Sequence, residues 1–118
     1  MAMDVKNSPG MYGQTAGLEN PDLALTEKSL GLLLTGRTDY ELRTTLVAQL
    51  HSEKSIREMG QWVAGLIPGK LPKKWFLQRF VDRDTVAFAG LRAPEENDVF
   101  RYADILRPYG EQVVVRGE

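Results

Sequence analysis

The stretch PGKLPKKWFLQRF, residues 68–80, brings positive charge and aromatic rings together more densely than any other part of the chain. Lysine and arginine bind carboxylates and phosphates, and an exposed tryptophan can anchor a protein interface or stack on a nucleic-acid base. Within residues 70–83 these cations are opposed only by Asp82. The stretch is therefore the leading candidate for a binding surface.

Apolar spacing in this stretch predicts a helix over residues 72–81. Three lysines then stand at or just before the positive end of the helix dipole, which disfavours cations. Trp75 falls on the outer face, one turn from Arg79, and is predicted to be at least partly exposed. The predicted partner-binding residues are Lys70, Lys73, Lys74, Trp75, Gln78, Arg79 and Arg83.

This surface predicts a non-catalytic interaction protein, such as an adaptor, an accessory subunit or a chaperone-like protein, that binds another protein. The alternative is a nucleic-acid-binding protein that presents residues 70–83 to phosphates. The two hypotheses differ in salt dependence, because phosphate contacts make affinity fall steeply as salt rises.

Groups that could perform catalysis are scarce. The chain has no cysteine and one histidine, His51, which is expected to be a capping or surface residue at a helix end. Glu95, Glu96 and Asp98 suit the first turn of a helix, where the dipole favours acids, better than they suit a metal site. The chain is therefore predicted not to be an enzyme, and no catalytic, cofactor-binding or metal-binding residue is assigned.

The bulk properties are those of an ordinary globular domain. The chain has 118 residues, 42% of them hydrophobic and 26% charged, and a formal net charge of -1. The N-terminus lacks the basic start and apolar run of a signal peptide, and no apolar run is long enough to span a bilayer. We expect one domain in the cytoplasm, with no membrane contact and no cofactor.

The elements that position these residues begin with a Gly- and Pro-containing segment, residues 1–19, which is predicted to be a flexible arm before a globular domain at 20–118. Residues 20–36 predict a helix that is apolar nearly all round. Leu25 and Leu32 fall opposite its main apolar face, so they are candidates for self-association into a homo-oligomer.

Two more helices are predicted in the middle of the chain. Residues 38–51 open with a capping box, Thr38 and Glu41, and place Leu42, Leu46 and Leu50 at steps of four. Residues 52–67 have apolar residues on one face and are expected to end at Pro68 and Gly69.

Toward the C-terminus, residues 93–110 predict a helix with acids in its first turn, and residues 111–118, with three consecutive valines, predict a strand. Residues 85–91 fit a strand or a helix. The predicted fold is therefore mainly α, with four to five short helices and a C-terminal strand. The alternative is an α+β fold with a strand-helix-strand unit at 85–116.

Overall fold

The computed structural model describes residues 2–16, 23–36, 39–80 and 92–116. The strands are β1 (Ala2–Asp4), β2 (Glu41–Leu46), β3 (Lys74–Arg79) and β4 (Gln112–Arg116). The helices are α1 (Tyr12–Ala16), α2 (Leu23–Thr35), α3 (Glu53–Leu66) and α4 (Glu96–Leu106), and short 3₁₀ turns precede α1 and follow α4 at Pro9–Met11 and Arg107–Tyr109.

The four strands form one parallel sheet in the order β1-β2-β3-β4. Leu42 of β2 pairs with Met3 of β1 and with Trp75 of β3, and Trp75 pairs in turn with Val113 of β4. Parallel strands need crossover connections, and helices lie between successive strands in the sequence. All carboxyl ends of the strands therefore meet at one edge of the sheet.

The helices cover one face of this sheet. Along β2 the side chains alternate, so that Leu42, Thr44 and Leu46 are buried while their neighbours are half-buried or exposed. The buried strand residues join one core with helix residues at steps of three and four, among them Leu30, Leu34, Ile56, Met59, Val63, Val99, Ala103 and Leu106. The opposite face of the sheet carries mainly polar and charged residues.

Local signals define α3 sharply. Ser52 and Ser55 form a reciprocal capping box, with each hydroxyl accepting a hydrogen bond from the other residue's backbone N–H. The helix ends just before Pro68, and Gly69 has a φ of 81°, a conformation that glycine adopts without strain. The predicted helix and its Pro-Gly end are both present.

The predicted fold class is wrong: the protein is an α/β fold with a four-stranded parallel sheet. Two predicted helices, at 38–51 and 72–81, contain strands β2 and β3 instead. In both stretches a pair of apolar residues is four positions apart, Leu42 with Leu46 and Phe76 with Phe80. A spacing of four places side chains on one face of a strand as well as on one side of a helix.

The structure also bears on the predictions for the two ends of the chain. The predicted flexible arm is corrected over residues 2–16, because Ala2–Asp4 forms an edge strand and Val5 and Tyr12 are buried. The C-terminal strand and the helix before it are present at Gln112–Arg116 and Glu96–Leu106. The segment 85–91 lies outside the described residues. In the described part of the chain, no helix has both the length and the apolar character needed to traverse a bilayer.

Candidate functional site

The residue on which the predicted interaction surface was centred is in the core. Trp75 is 0% exposed, and its indole Nε1–H donates to the Thr44 hydroxyl at 3.0 Å. The predicted exposure was wrong because residue 75 lies on a strand, where it shares the covered face with Leu77. Trp75 therefore cannot anchor a partner without unfolding of the sheet.

The remaining predicted partner-binding residues do not form one surface. Lys70, Lys73 and Lys74 are exposed at the amino edge of the sheet. Arg79 is half-buried at the opposite end of β3, where its Nε–H donates to the carbonyl of Pro94 at 3.0 Å. At about 3.3 Å per residue, the five steps of β3 separate the two ends by roughly 17 Å. Gln78 is half-buried near Arg79, and Arg83 lies outside the described residues.

The exposure needed for the predicted self-association is present on α2. Leu25 is 61% exposed and Leu32 is 65% exposed. Self-association through these two side chains stays a prediction.

The uncovered face of the sheet carries a cluster of charges around an aromatic ring. Glu41 accepts from Arg43 Nε at 2.9 Å and pairs with Arg116 at 3.4 Å. The Arg116 guanidinium also lies 3.9 Å from the centroid of the Phe76 ring. Val114 adds an apolar side chain that is 41% exposed. We call these five residues the open-face cluster.

The electrostatics of the open-face cluster favour the ionised form of Glu41. The hydrogen bond from Arg43 lowers the pKa of Glu41 most; desolvation opposes this shift, and the charges of Arg43 and Arg116 add to it. The carboxylate therefore stays ionised well below neutral pH and holds the two guanidinium groups on this face.

A pocket opens at the carboxyl edge of the sheet, beside the open-face cluster. Its volume is about 180 Å³, and its walls include Asp4 and Lys6 at the end of β1, Arg43 and Thr45 of β2, and Phe80 just after β3. Lys6 Nζ lies 3.7 Å from Asp4 Oδ2, and both side chains are about half exposed, at 46% and 63%. Such an exposed ion pair contributes little to stability. We call this the carboxyl-edge pocket.

Buried polar side chains support the walls of the carboxyl-edge pocket. Asn7, which is fully buried, donates from Nδ2 to the carbonyl of Leu50 at 2.7 Å and to the Thr15 hydroxyl at 3.0 Å. His51, predicted to be a capping or surface residue, is only 4% exposed. Its ring nitrogens lie 3.1 Å from the Val47 backbone nitrogen and 2.9 Å from the Lys6 carbonyl oxygen.

The sequence predictions missed this pocket because its residues come from a segment predicted to be an arm and from two segments predicted to be helices, 38–51 and 72–81. One signal was present. Glu41, Arg43 and Thr45 alternate with Leu42, Thr44 and Leu46, a polar/apolar period of two that marks a strand. As for metals, the residues that the structure describes contain no group of three or more His, Asp or Glu side chains that could hold an ion.

Comparison with known proteins bears on the fold. No family model matches the chain, and no curated protein matches it. Among solved structures, it is similar to the crystal structure of a radical SAM methyltransferase from Sphaerobacter thermophilus, with a TM-score of 0.68 and 20% sequence identity. The match covers 98% of this chain and 33% of the other, so the chain spans about one third of the length of that protein. At this identity the likeness establishes the α/β fold alone. The predicted adaptor or nucleic-acid-binding function is wrong, because the surface on which it rested is not formed: Trp75 is buried, and the chain has an α/β fold similar to a section of that methyltransferase.

Proposed function

We propose that this chain is one section of a parallel β/α enzyme, and that its carboxyl-edge pocket binds the amino-acid part of S-adenosylmethionine or of a close analogue. The pocket itself carries the proposal. It places Asp4, Lys6 and Arg43 outside the carboxyl ends of parallel strands, which is where sheets of this kind bind their ligands.

The charges of the pocket match those of an amino acid. A free amino-acid group carries one ammonium and one carboxylate, and the pocket offers the Asp4 carboxylate to the first and the Lys6 ammonium to the second. The Arg43 guanidinium can bind the same carboxylate through N–H groups other than Nε, which it uses for Glu41. The Thr45 hydroxyl provides a further donor or acceptor.

The pocket is large enough to enclose only a part of the ligand. Pockets that enclose a complete drug-sized ligand measure about 300–1,000 Å³, and this one measures about 180 Å³. The rest of the ligand therefore extends over the uncovered face of the sheet, alongside Phe76. We propose that further polypeptide covers this face in the working enzyme, since parallel sheets are ordinarily covered on both sides.

The likeness to a radical SAM methyltransferase supports the choice of S-adenosylmethionine as the ligand. The composition of the chain, however, limits which cofactors it can hold. Radical chemistry in proteins draws on cofactors that include S-adenosylmethionine and iron–sulfur clusters, and such clusters are held by cysteine thiolates. The chain has no cysteine. Its residues do not fit such a cluster, so the role that we propose for this chain is to bind and orient a ligand. That the chain is not an enzyme stays a prediction, because the proposed role of these residues is binding and not catalysis. A cytoplasmic location likewise stays a prediction.

Calorimetric titration of the 118-residue chain with S-adenosylmethionine and with S-adenosylhomocysteine tests the proposal. We expect both to bind, and we expect Arg43→Gln and Asp4→Asn to weaken binding about ten-fold or more, because each removes a charged hydrogen-bonding partner. Lys73→Gln, at the opposite edge of the sheet, is the matched control and should bind as the unmodified chain does. Absence of binding, or an equal loss in the control, would reject the proposal.

A further inference from the structure

A buried histidine joins the two strand ends that form the carboxyl-edge pocket. His51 lies after β2, and its imidazole contacts the backbone of Lys6 on one side and that of Val47 on the other. Both of these residues line the pocket. The ring therefore links the segment after β1 to the end of β2, at the point where the two segments form the pocket wall.

The two contacts fix which ring nitrogen carries the proton. The Val47 backbone N–H donates to Nδ1 at 3.1 Å, so Nδ1 must be the acceptor. In the neutral ring the proton is then on Nε2, which donates to the Lys6 carbonyl at 2.9 Å. A proton added to Nδ1 would face the Val47 N–H. The Val47 carbonyl is a poor alternative acceptor, at 3.4 Å and already bonded to two backbone amides.

We propose that His51 is a positioning residue of the carboxyl-edge pocket: its neutral imidazole holds Lys6 against the end of β2, and protonation in mild acid releases that link. The inference concerns the shape of the pocket wall. Its consequence for ligand affinity rests on the proposed function above.

The surroundings of the ring favour its neutral form. Burial lowers the pKa of His51, against smaller opposing effects of its hydrogen bonds to Lys6 and Val47. The nearby charged groups have partners elsewhere: the Lys6 ammonium pairs with Asp4, and the Glu53 carboxylate pairs with a guanidinium on α4. From α4 the Tyr102 hydroxyl donates to the backbone carbonyl of His51, at 3.3 Å, and the turn between β2 and His51 contains no ionisable side chain.

Nuclear magnetic resonance of the ¹⁵N-labelled chain tests the geometry without any ligand. At pH 7.5 we expect long-range ¹H–¹⁵N spectra to report the proton of His51 on Nε2. As the pH is lowered toward about 5, the amides of Lys6 and Val47 should shift with the midpoint of His51, which burial places below the ordinary imidazole value. The amide of Lys73, at the amino edge of the sheet, is the internal control and should not follow that midpoint.

Affinity for S-adenosylhomocysteine provides the second readout. As the pH falls from 7.5 to below the lowered pKa of His51, the unmodified chain should lose affinity for the ligand. The loss should approach about ten-fold once the pH lies below the pKa of both the free and the ligand-bound chain, the equivalent of one pKa unit of coupling between protonation and binding. His51→Gln, which keeps a donor for the Lys6 carbonyl but no ionisable group, should bind with an affinity that does not change over this range.

The outcomes separate the two proposals. A proton on Nδ1 at pH 7.5, or amides of Lys6 and Val47 that ignore the titration of His51, overturns the positioning role. A ligand affinity that stays constant with pH while those amides shift also overturns the positioning role. In that case the proposed function still stands. If the chain binds neither adenosyl compound at any pH, the proposed function fails, and the ligand-free titration alone decides the role of His51.

Discussion

The Trp75 indole and the Thr44 hydroxyl, 3.0 Å apart, form a hydrogen bond between two neighbouring strands inside the core. The same hydroxyl donates to the carbonyl of Val5 at 2.8 Å, so one side chain links β3, β2 and the end of β1. Thr44→Val keeps the shape of the side chain but leaves a buried donor and a buried acceptor without partners. We expect a loss of about 2–4 kcal/mol in the free energy of unfolding.

Urea denaturation measures this loss, and Thr45→Val is the matched control. Thr45 is the next residue along β2 and is exposed on the opposite face, so its replacement should change stability by less than about 0.5 kcal/mol. Equal effects of the two substitutions would contradict the buried hydrogen-bond chain.

The burial of Trp75 predicts its fluorescence. A Trp62→Phe variant leaves Trp75 as the single tryptophan of the chain. Since Trp75 is 0% exposed, iodide should quench its emission weakly in the folded chain and strongly in urea. Strong quenching under folding conditions would show that the indole is accessible, contrary to the structure.

Two glycines on α3 should respond oppositely to alanine. A Cβ added at Gly60 would lie 2.8 Å from Cγ of the Tyr109 ring and 3.0 Å from Leu106, so Gly60→Ala forces the 3₁₀ turn after α4 to move. We expect it to cost about 1–3 kcal/mol. Gly65→Ala meets nothing within 4 Å and should stabilise the helix by about 0.5–1 kcal/mol.

Thermal unfolding of the two variants gives the comparison directly. Both changes are Gly→Ala on the same helix, so helix propensity favours each equally and the difference between them reports packing against Tyr109. A Gly60→Ala variant that melts at or above the temperature of Gly65→Ala would contradict the close approach of Tyr109.

The open-face cluster should make stability depend on pH in the acid range. The pKa of Glu41 is lower in the folded chain than the ordinary 4.5, because Arg43 and Arg116 stabilise its carboxylate. The contribution of the ionised Glu41 to the free energy of unfolding is therefore complete above the unfolded-state pKa. It is lost as the pH falls from about 4.5 through the folded-state pKa. Carbon-detected titration of the Glu41 carboxyl should show the lowered midpoint, and Arg43→Gln should raise it. An unchanged midpoint in that variant would contradict the pairing.

Sequence patterns predicted the elements whose signals are local. Helices α3 and α4 and strand β4 are found where expected, because capping residues, first-turn acids and a run of valines act within a few positions. Strand β2 was predicted to be a helix, since Leu42 and Leu46 are four residues apart, a spacing that suits one side of a helix and one face of a strand equally. The β-branched residues between them, Thr44 and Thr45, were the signal that favoured a strand.

For Trp75 the period assumed for the backbone, helix or strand, determined whether the side chain was predicted to be exposed or buried. With 3.6 residues per turn it lies away from Leu77, whereas with a period of two it lies beside Leu77 in the core. The carboxyl-edge pocket could not be predicted for a different reason. It joins residues near positions 4, 43 and 80, which only the order of the strands brings together.

The strand order also governs how the chain reaches its fold. No two neighbouring strands are joined by a hairpin, and each pairing unites residues roughly 30 to 40 positions apart. To pair any two neighbouring strands, the chain must therefore close a long loop before the strands make their first contact. The entropy lost in closing that loop opposes the pairing. We expect slow refolding, in which the helices form early and the strands align late. During that interval the strand edges remain open to pairing with other chains.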